Sequence, residues 1–271
     1  MQKIRNPIRM NKLAAESEVK RKGRIYQKDL SRNRLRGPIP PSLVQLQSLS
    51  VLDLSDNSLG GNLPPFQMKS LLYMYLSKNK LDGPIPKSFV NLTSLVNLDL
   101  SSNCFESQIP PELGALKNLS RLDVSDNQLS GSIPPQLGNL TNLLALILRA
   151  NYLVGELPSS FMRLVNLTVF YAQGNNLSGK IPTFIANWTQ LYSLTLRNCS
   201  LRGPIPNYIW ELQYLVYLFL RKNKLNGILP AWLVALANTR NVTSSHRYVD
   251  VSENNFTLTT SVSDALPNQD V

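Results

Sequence analysis

Nine residues in the second half of the chain have side chains suited to recognition rather than catalysis. Aromatic and arginine side chains dominate binding hot spots, and arginine holds carboxylate or sulfate groups through paired hydrogen bonds. Tyrosine and phenylalanine offer flat apolar faces to sugars and to peptide side chains. The nine residues are Ile147, Arg149, Tyr171, Gln173, Thr195, Arg197, Tyr217, Phe219 and Arg221. We predict that they form one ligand-binding patch, which we call the concave patch.

The concave patch residues stand at fixed offsets from a position that recurs along the chain. Seven of the nine gaps between successive copies of that position are 24 residues, and the other two are 22 and 31. The surrounding pattern is L-x-x-L-x-L-x-x-N-x-L followed by G-x-I-P, which is the leucine-rich repeat template. We number the repeats one to ten by the recurring residue: Asn33, Asn57, Asn79, Asn103, Asn127, Asn151, Asn175, Cys199, Asn223 and Asn254.

One repeat cannot bury its apolar residues alone, so the repeats must stack. Leu122 and Val124 alternate with Asp123 and Ser125, as expected for a short strand with one inward face. Asn127 can satisfy the backbone groups of the turn that follows. We therefore predict an α/β repeat solenoid of about ten repeats, with a parallel sheet on the concave face and few or no regular helices on the convex side.

The outward strand positions distinguish four of the repeats from the others. The residues four and two positions before the recurring residue are most often Asp and Ser, but repeats six to nine abandon both together. Because neighbouring strands lie about 4.8 Å apart, the replacements should be contiguous. Two other interpretations stay open. The changes could be drift on a solvated face, or the face could dock on another receptor domain.

Catalytic and metal-binding motifs are absent from the sequence. It contains no phosphate-binding loop, zinc-protease, serine-hydrolase or kinase motif, and His246 is its single histidine. Cys104 and Cys199 lie four repeats apart, roughly 19 Å, which is too far for a disulfide. We predict no enzyme activity, no cofactor and no metal site.

Nine N-x-[ST] sequons are acceptor sites for N-glycans if the chain is secreted. Four of the nine sequons are part of the repeat consensus itself, so the number of sequons overstates the evidence for glycosylation. We exclude Asn198, which lies on the strand side next to the recurring residue Cys199. We call the ten recurring residues the asparagine ladder. The candidate glycosylation sites are Asn91, Asn118, Asn139, Asn166, Asn176, Asn187, Asn241 and Asn255.

The net charge of +11 is concentrated near the beginning of the sequence. Residues 1–28 carry nine Lys or Arg against two Glu, and no aromatic residues interleave with the basic run at 20–24, so we predict no nucleic-acid partner. We expect a basic, disordered segment over 1–24, the repeat domain over 25–257 and a disordered tail over 258–271. Lys28 takes an inward leucine position, so the first repeat should begin irregularly. No stretch resembles a signal peptide or a membrane span.

The motif L-x-G-x-I-P in a 24-residue repeat resembles the plant-specific class of leucine-rich repeats. It recurs at 35–40, 81–86, 129–134, 177–182 and 201–206. Residues 185–257 more narrowly resemble plant receptor-like kinases whose ectodomain joins such repeats to a malectin-like domain. The resemblance implies a location at the cell surface or in the apoplast. Because those receptors have a signal peptide and a paired-cysteine cap, we expect this sequence to be an ectodomain fragment or a gene model that lost its 5′ end.

The resemblance implies a non-catalytic recognition module. Its ligand would be a protein, a peptide or a wall-derived carbohydrate, and a co-receptor kinase is a further candidate partner. A secreted inhibitor of microbial wall-degrading enzymes and a truncated product without function remain as alternatives.

Overall fold

A ten-stranded parallel sheet forms one face of the computed structural model, which describes residues 20–21, 24–229, 233 and 247–257. Each repeat contributes one three-residue strand, and the strands lie side by side in chain order. Their register is in phase, so that Leu98 pairs with Leu122 and Leu122 with Leu146. The strands are Gln27–Asp29, Val51–Asp53, Tyr73–Tyr75, Asn97–Asp99, Arg121–Asp123, Ala145–Ile147, Val169–Tyr171, Ser193–Thr195, Tyr217–Phe219 and Tyr248–Asp250. This is the predicted leucine-rich repeat solenoid.

The inward side chains fill one continuous core along the solenoid. Leu122 and Val124 are fully buried, as the alternation in the sequence predicts. Between repeats six and eight the core is aromatic, and Phe170 packs edge-on against both Phe161 and Trp188. The indole N–H of Trp188 donates to the Phe161 carbonyl at 3.0 Å, so its polar group is satisfied inside the core.

The return segments hold short helices opposite the sheet. A proline precedes each 3₁₀ helix, and its extended backbone sets the entry into the turn. The 3₁₀ helices are Pro41–Gln45, Lys87–Asn91, Pro111–Ala115, Pro135–Asn139, Ser159–Arg163 and Thr183–Asn187, and one α-helical turn spans Tyr208–Glu211. No helix forms in the described repeat with the 22-residue gap, where buried Phe66 and Met68 fill the core instead.

A second set of short strands, which we did not predict, runs along the side of the solenoid after the ladder positions. They form three parallel sheets of four, three and three strands. The consensus glycine, which most repeats have, helps here: Gly83 has φ +70°, and a Cβ there would lie 2.4 Å from Asn62 Oδ1. The strands are Arg36–Gly37, Ser58–Asn62, Lys80–Pro84, Cys104–Glu106, Ser130–Ser132, Tyr152–Gly155, Asn176–Leu177, Arg202–Gly203, Lys224–Ile228 and Asn255–Thr257.

The recurring asparagines link each repeat to the one before it. The Asn127 side-chain amide donates to the carbonyls of Leu100, Val124 and Ser125 at 3.0–3.1 Å. Its Oδ1 accepts the Phe105 N–H at 3.0 Å. The same pattern recurs at Asn57, Asn79, Asn103, Asn151, Asn175, Asn223 and Asn254. These asparagines therefore supply the turn with hydrogen bonds that the strands cannot provide.

Two ladder positions differ from this pattern. Cys199 makes a weaker contact, with its Sγ 3.5 Å from the Ala172 carbonyl oxygen. Asn33 lies in the first repeat and is exposed, and its amide donates to the Ser31 carbonyl at 2.8 Å. Cys104 and Cys199 are both free thiols.

The described part of the basic segment is a pair of two-residue strands, Lys20–Arg21 and Arg24–Ile25, which pair antiparallel. Lys28 is fully buried, in the inward position that the sequence predicts, yet the strand around it keeps its register with repeat two. The rest of segment 1–24, His246, Asn241 and the tail 258–271 lie outside the described residues, and the domain boundaries stay a prediction. Among the described residues, no helix is long and apolar enough to span a bilayer.

Candidate functional site

The Asp and Ser columns on the concave face have a local structural role. Asp53 Oδ1 accepts hydrogen bonds from the Ser55 N–H at 2.9 Å and from the Ser55 hydroxyl at 2.6 Å. The same pair of bonds joins the Asp and Ser of repeats one, four, five and ten. The Asp carboxylate and the Ser hydroxyl are thus hydrogen-bonded within their own repeat. We call such an outer face self-contained, because these polar groups need no partner from outside the repeat.

Repeats six to nine lack this pair, and their replacements meet side by side across the sheet. Strand register places Tyr171 between Ile147 and Thr195, and Thr195 beside Phe219. Arg149 and Arg197 are exposed, whereas Tyr171, Gln173, Tyr217, Phe219 and Arg221 are half-buried. The structure therefore brings the predicted residues together on one face.

Two of the nine residues contribute little surface, contrary to our expectation of an exposed patch. Ile147 is 6% exposed and Thr195 is 7% exposed. In register, Tyr171 lies beside both residues and Phe219 lies on the other side of Thr195. Asp123, in the same column of repeat five, is also 7% exposed, although its register neighbours are Asp99 and Ile147. Low exposure in this column therefore does not require aromatic neighbours.

The three arginines of the concave patch are not equivalent. Arg149 forms an ion pair with Asp126 at 2.7 Å, and Arg221 forms one with Glu253. That bond raises the pKa of Arg221. Arg197 is exposed and has no carboxylate partner within the described parts of the chain. Its guanidinium is therefore the one best placed to receive an anionic group.

Gln173 adds a polar group that its own fold does not satisfy. Its Oε1 is buried and accepts no hydrogen bond from any described residue. An unpaired buried acceptor costs about 1–3 kcal/mol of folding free energy. Unpaired buried oxygens also occur at Ser88, Asn97 and Glu112, outside the nine residues, so this oxygen does not by itself mark a binding site.

An aromatic cluster lies at the end of the concave patch nearest repeat ten, and two of its members were missed from the sequence. The Tyr217 ring is 5.4 Å from Tyr192, 6.2 Å from Phe219 and 5.1 Å from Tyr248. A hydrogen bond with Tyr192 raises the pKa of Tyr217. Tyr192 and Tyr248 are 45% and 60% exposed. Tyr248 could have been found, because it occupies the same strand position as Tyr217, a column outside the two that we compared.

The candidate glycosylation sites that the structure describes lie outside the concave patch. Asn118, Asn166, Asn176, Asn187 and Asn255 are exposed, and Asn91 and Asn139 are half-buried. The side-chain amides of Asn118 and Asn166 donate to the previous repeat, at Thr93 and Thr141. Asn198, excluded from the set, is also exposed. Modification at these positions stays a prediction.

The described residues offer no site for metal chemistry, because no group of three potential ligands is present among them. Burial raises the pKa of the Cys199 thiol to about 11. Such a thiol is protonated near neutral pH and is a poor nucleophile.

Family models and solved structures place the chain among known proteins. Two leucine-rich repeat models match, one over residues 65–105 and one over residues 48–67, 118–140, 166–188 and 190–212. No curated protein matches in a sequence comparison.

Three solved structures illustrate the likeness. The Arabidopsis receptor kinase HAESA, in complex with the peptide hormone IDA and the co-receptor SERK1, is 36% identical with a TM-score of 0.76, covering 86% of this chain and 38% of HAESA. Pollen Receptor Kinase 3 is 32% identical with a TM-score of 0.55, covering 59% of this chain and 79% of that one. A plant ice-binding protein is 28% identical with a TM-score of 0.69, covering 88% and 76%.

These matches agree with the repeat period, the parallel sheet and the asparagine ladder. The chain spans well under half of the HAESA structure, 38% of its length. The narrower likeness to the malectin-containing subfamily is not tested by these comparisons. The chain belongs to the leucine-rich repeat family, as a non-catalytic module of the kind found in the ectodomains of plant receptor kinases.

Proposed function

We propose that this chain is the ligand-recognition part of a plant receptor ectodomain and that it binds an extended peptide on the concave face of repeats six to nine. One observation carries the proposal. The Asp–Ser pairs that make the outer face self-contained are replaced in four consecutive repeats, and the replacements form a contiguous surface with the exposed Arg197.

The chemistry of this surface favours a peptide. Rings of Tyr171, Tyr217 and Phe219 can cover apolar side chains, whereas Arg197 can hold a carboxylate through paired hydrogen bonds. The likeness to HAESA, whose structure contains a peptide hormone and a co-receptor, supports both a peptide ligand and a co-receptor kinase as partners.

The proposed setting is the apoplastic side of the plasma membrane, as part of a longer receptor. Exposed sequons outside the concave patch suit a secreted chain, because glycans there leave the concave face clear. Membership of the malectin-containing subfamily remains a prediction from residues 185–257.

The fold alone does not decide between a receptor and other roles, since a plant ice-binding protein shares it. A secreted inhibitor of microbial enzymes would also use the concave face. The difference lies in the occupant: an inhibitor would engage a folded enzyme over a wide area, whereas a receptor would retain a short linear peptide.

Phage selection can test the peptide proposal without a known ligand. The full chain, secreted from insect cells behind an added signal peptide, is immobilised and panned with a random 12-residue peptide library. We expect enriched peptides to bind the native chain and to lose binding to the Tyr171→Ala, Arg197→Ala, Phe219→Ala variant. The matched control replaces Tyr73 and Tyr75, a stacked pair on the same face of repeat three. Enriched peptides that bind the triple variant as well as the native chain would contradict the proposal.

A further inference from the structure

The return segments of the solenoid pack closely in its middle and open towards repeat nine. Gly138 lies in the 3₁₀ helix of repeat six, and a Cβ there would be 2.5 Å from the Ser160 carbonyl oxygen of the next helix. Gly114 makes an equally close approach to Gln136. The two glycines allow neighbouring helices to meet backbone against backbone.

That close approach has no counterpart between repeats eight and nine. One, two and three periods after Gly138, the equivalent residues are Met162, Ala186 and Trp210. The next segment is also an α-helical turn, Tyr208–Glu211, in place of a 3₁₀ helix. A cavity of about 430 Å³ lies here, with Ala186 and Tyr208 in its wall.

The lining of this cavity combines aromatic rings with uncharged polar groups. The Tyr208 hydroxyl donates to the Pro182 carbonyl at 2.5 Å, which fixes the ring, and Tyr214 is 56% exposed. The remaining polar lining consists of Thr189, Gln190, Gln213 and Glu211. No lysine or arginine is among the lining residues.

This composition restricts the chemical class of the ligand. An anion would meet the Glu211 carboxylate, which is unfavourable, and the neighbouring Arg247 guanidinium is already bonded to the carbonyls of Trp210 and Leu212. A purely apolar molecule would strip water from two amides, a hydroxyl and a carboxylate without replacing their hydrogen bonds. A neutral polyhydroxylated ligand satisfies both limits, because its hydroxyl groups pair with the polar side chains while its C–H faces cover the tyrosine rings.

We propose that the cavity between repeats eight and nine is a binding site for a neutral saccharide. Its volume lies within the range of roughly 300–1,000 Å³ that is typical of small-molecule sites. The site is on the helical side of the solenoid, so it is separate from the concave patch and does not depend on the peptide proposal. The two sites would allow one module to hold a peptide and a sugar together.

Titration with neutral oligosaccharides tests this site. Cellotetraose, xylotetraose and mannotetraose are each titrated into the full chain and followed by saturation-transfer NMR, with tetragalacturonate as the acidic comparator. The chain is first deglycosylated, because the sequon at Asn187 adjoins Ala186. We expect at least one neutral tetrasaccharide to bind, and to bind more tightly than tetragalacturonate.

Variants locate the binding. Tyr214→Ala, at an exposed ring whose loss leaves the core intact, should weaken binding roughly tenfold, since it removes one stacking face. Tyr152→Ala, at a tyrosine 65% exposed on the side strands, should leave binding unchanged. Three results would overturn the proposal: no binding of any neutral probe, tighter binding of tetragalacturonate, or equal binding to the native chain and the Tyr214→Ala variant. A peptide result at the concave patch is not altered by any of them.

Discussion

Tyr217 and Tyr248 stack face to face, with ring centroids 5.1 Å apart and ring planes 11° from parallel. They come from consecutive strands and are register partners, although the repeat between them is the longest in the chain. The insertion therefore does not disturb the sheet. Arg247 anchors its end, donating to the carbonyls of Trp210 and Leu212 at 2.8 Å.

The stacked pair gives a prediction for binding. Replacing Tyr217 and Tyr248 with Ala should weaken the capture of selected peptides by roughly tenfold or more, because aromatic contacts of this kind are binding hot spots. Biolayer interferometry with a peptide enriched on the native chain measures the change. The same substitutions at Tyr73 and Tyr75, stacked at 6.5 Å in repeat three, should have little effect. Equal losses of peptide affinity in the two double variants would mean that removing any pair of exposed tyrosines weakens binding, and would contradict a specific role of Tyr217 and Tyr248.

The asparagine ladder should contribute to stability in proportion to burial. Asn127→Leu removes four side-chain hydrogen bonds and leaves the Phe105 N–H unpaired inside the protein. We expect a loss of about 1–3 kcal/mol in the free energy of unfolding, measured by urea denaturation. Asn33→Leu is the control, because this exposed residue makes a single side-chain bond to Ser31; its effect should stay within about 0.5 kcal/mol. Equal urea midpoints for the two variants would contradict a stabilising role of the buried asparagines.

Close packing of the return segments can be tested at a glycine. Gly138→Ala places a Cβ 2.5 Å from the Ser160 carbonyl oxygen, so the two helices must separate. We expect a destabilisation of about 1–3 kcal/mol, typical of overpacking. Gly60→Ala is the matched change, since the nearest atom there, the Lys80 carbonyl oxygen, is 3.4 Å away. If Gly138→Ala is as stable as Gly60→Ala, the two helices can accommodate a Cβ at this contact and are not closely packed there.

Asp123 and Asp29 make the same local hydrogen bonds to a Ser, yet their pKa values should lie on opposite sides of the ordinary aspartate pKa of 3.8. Burial raises the pKa of Asp123 above 3.8, whereas the Ser31 N–H lowers the pKa of Asp29 below 3.8. Asp123 binds its proton more tightly when folded, so its contribution to stability falls as the pH rises from 3.8 through its folded pKa. Asp29 contributes stability above pH 3.8 that is lost as the pH falls through its folded pKa. Carboxyl ¹³C shifts followed by NMR give the two midpoints, and the reverse order would refute the assignment.

The Cys199 thiol should resist alkylation in the folded protein. Burial raises its pKa to about 11, so only about one thiol in a thousand is ionised at pH 8. In a Cys104→Ser background, we expect slow reaction with iodoacetamide at pH 8 and fast reaction after unfolding in urea. Rapid labelling of the folded chain at pH 8 would mean that the sulfur is reachable and ionised.

Periodicity determined most of this fold from the sequence alone. A solenoid contacts only its nearest neighbours, so one period of 24 residues fixes the strand, the inward leucines and the ladder position of most repeats. For the same reason the outward columns could be compared across repeats, and the concave patch could be proposed from the sequence. Lys28 was likewise placed inward by its position in the repeat.

Tertiary structure decided what depends on side-chain size and on contacts between repeats. The low exposure of Ile147 and Thr195 could not be read from the repeat pattern, and the ion pair of Arg221 depends on Glu253 in the next repeat. The side strands and the cavity beside Ala186 were found only in the three-dimensional structure. The repeat pattern specifies which way a residue points, but only packing in three dimensions determines what its side chain touches.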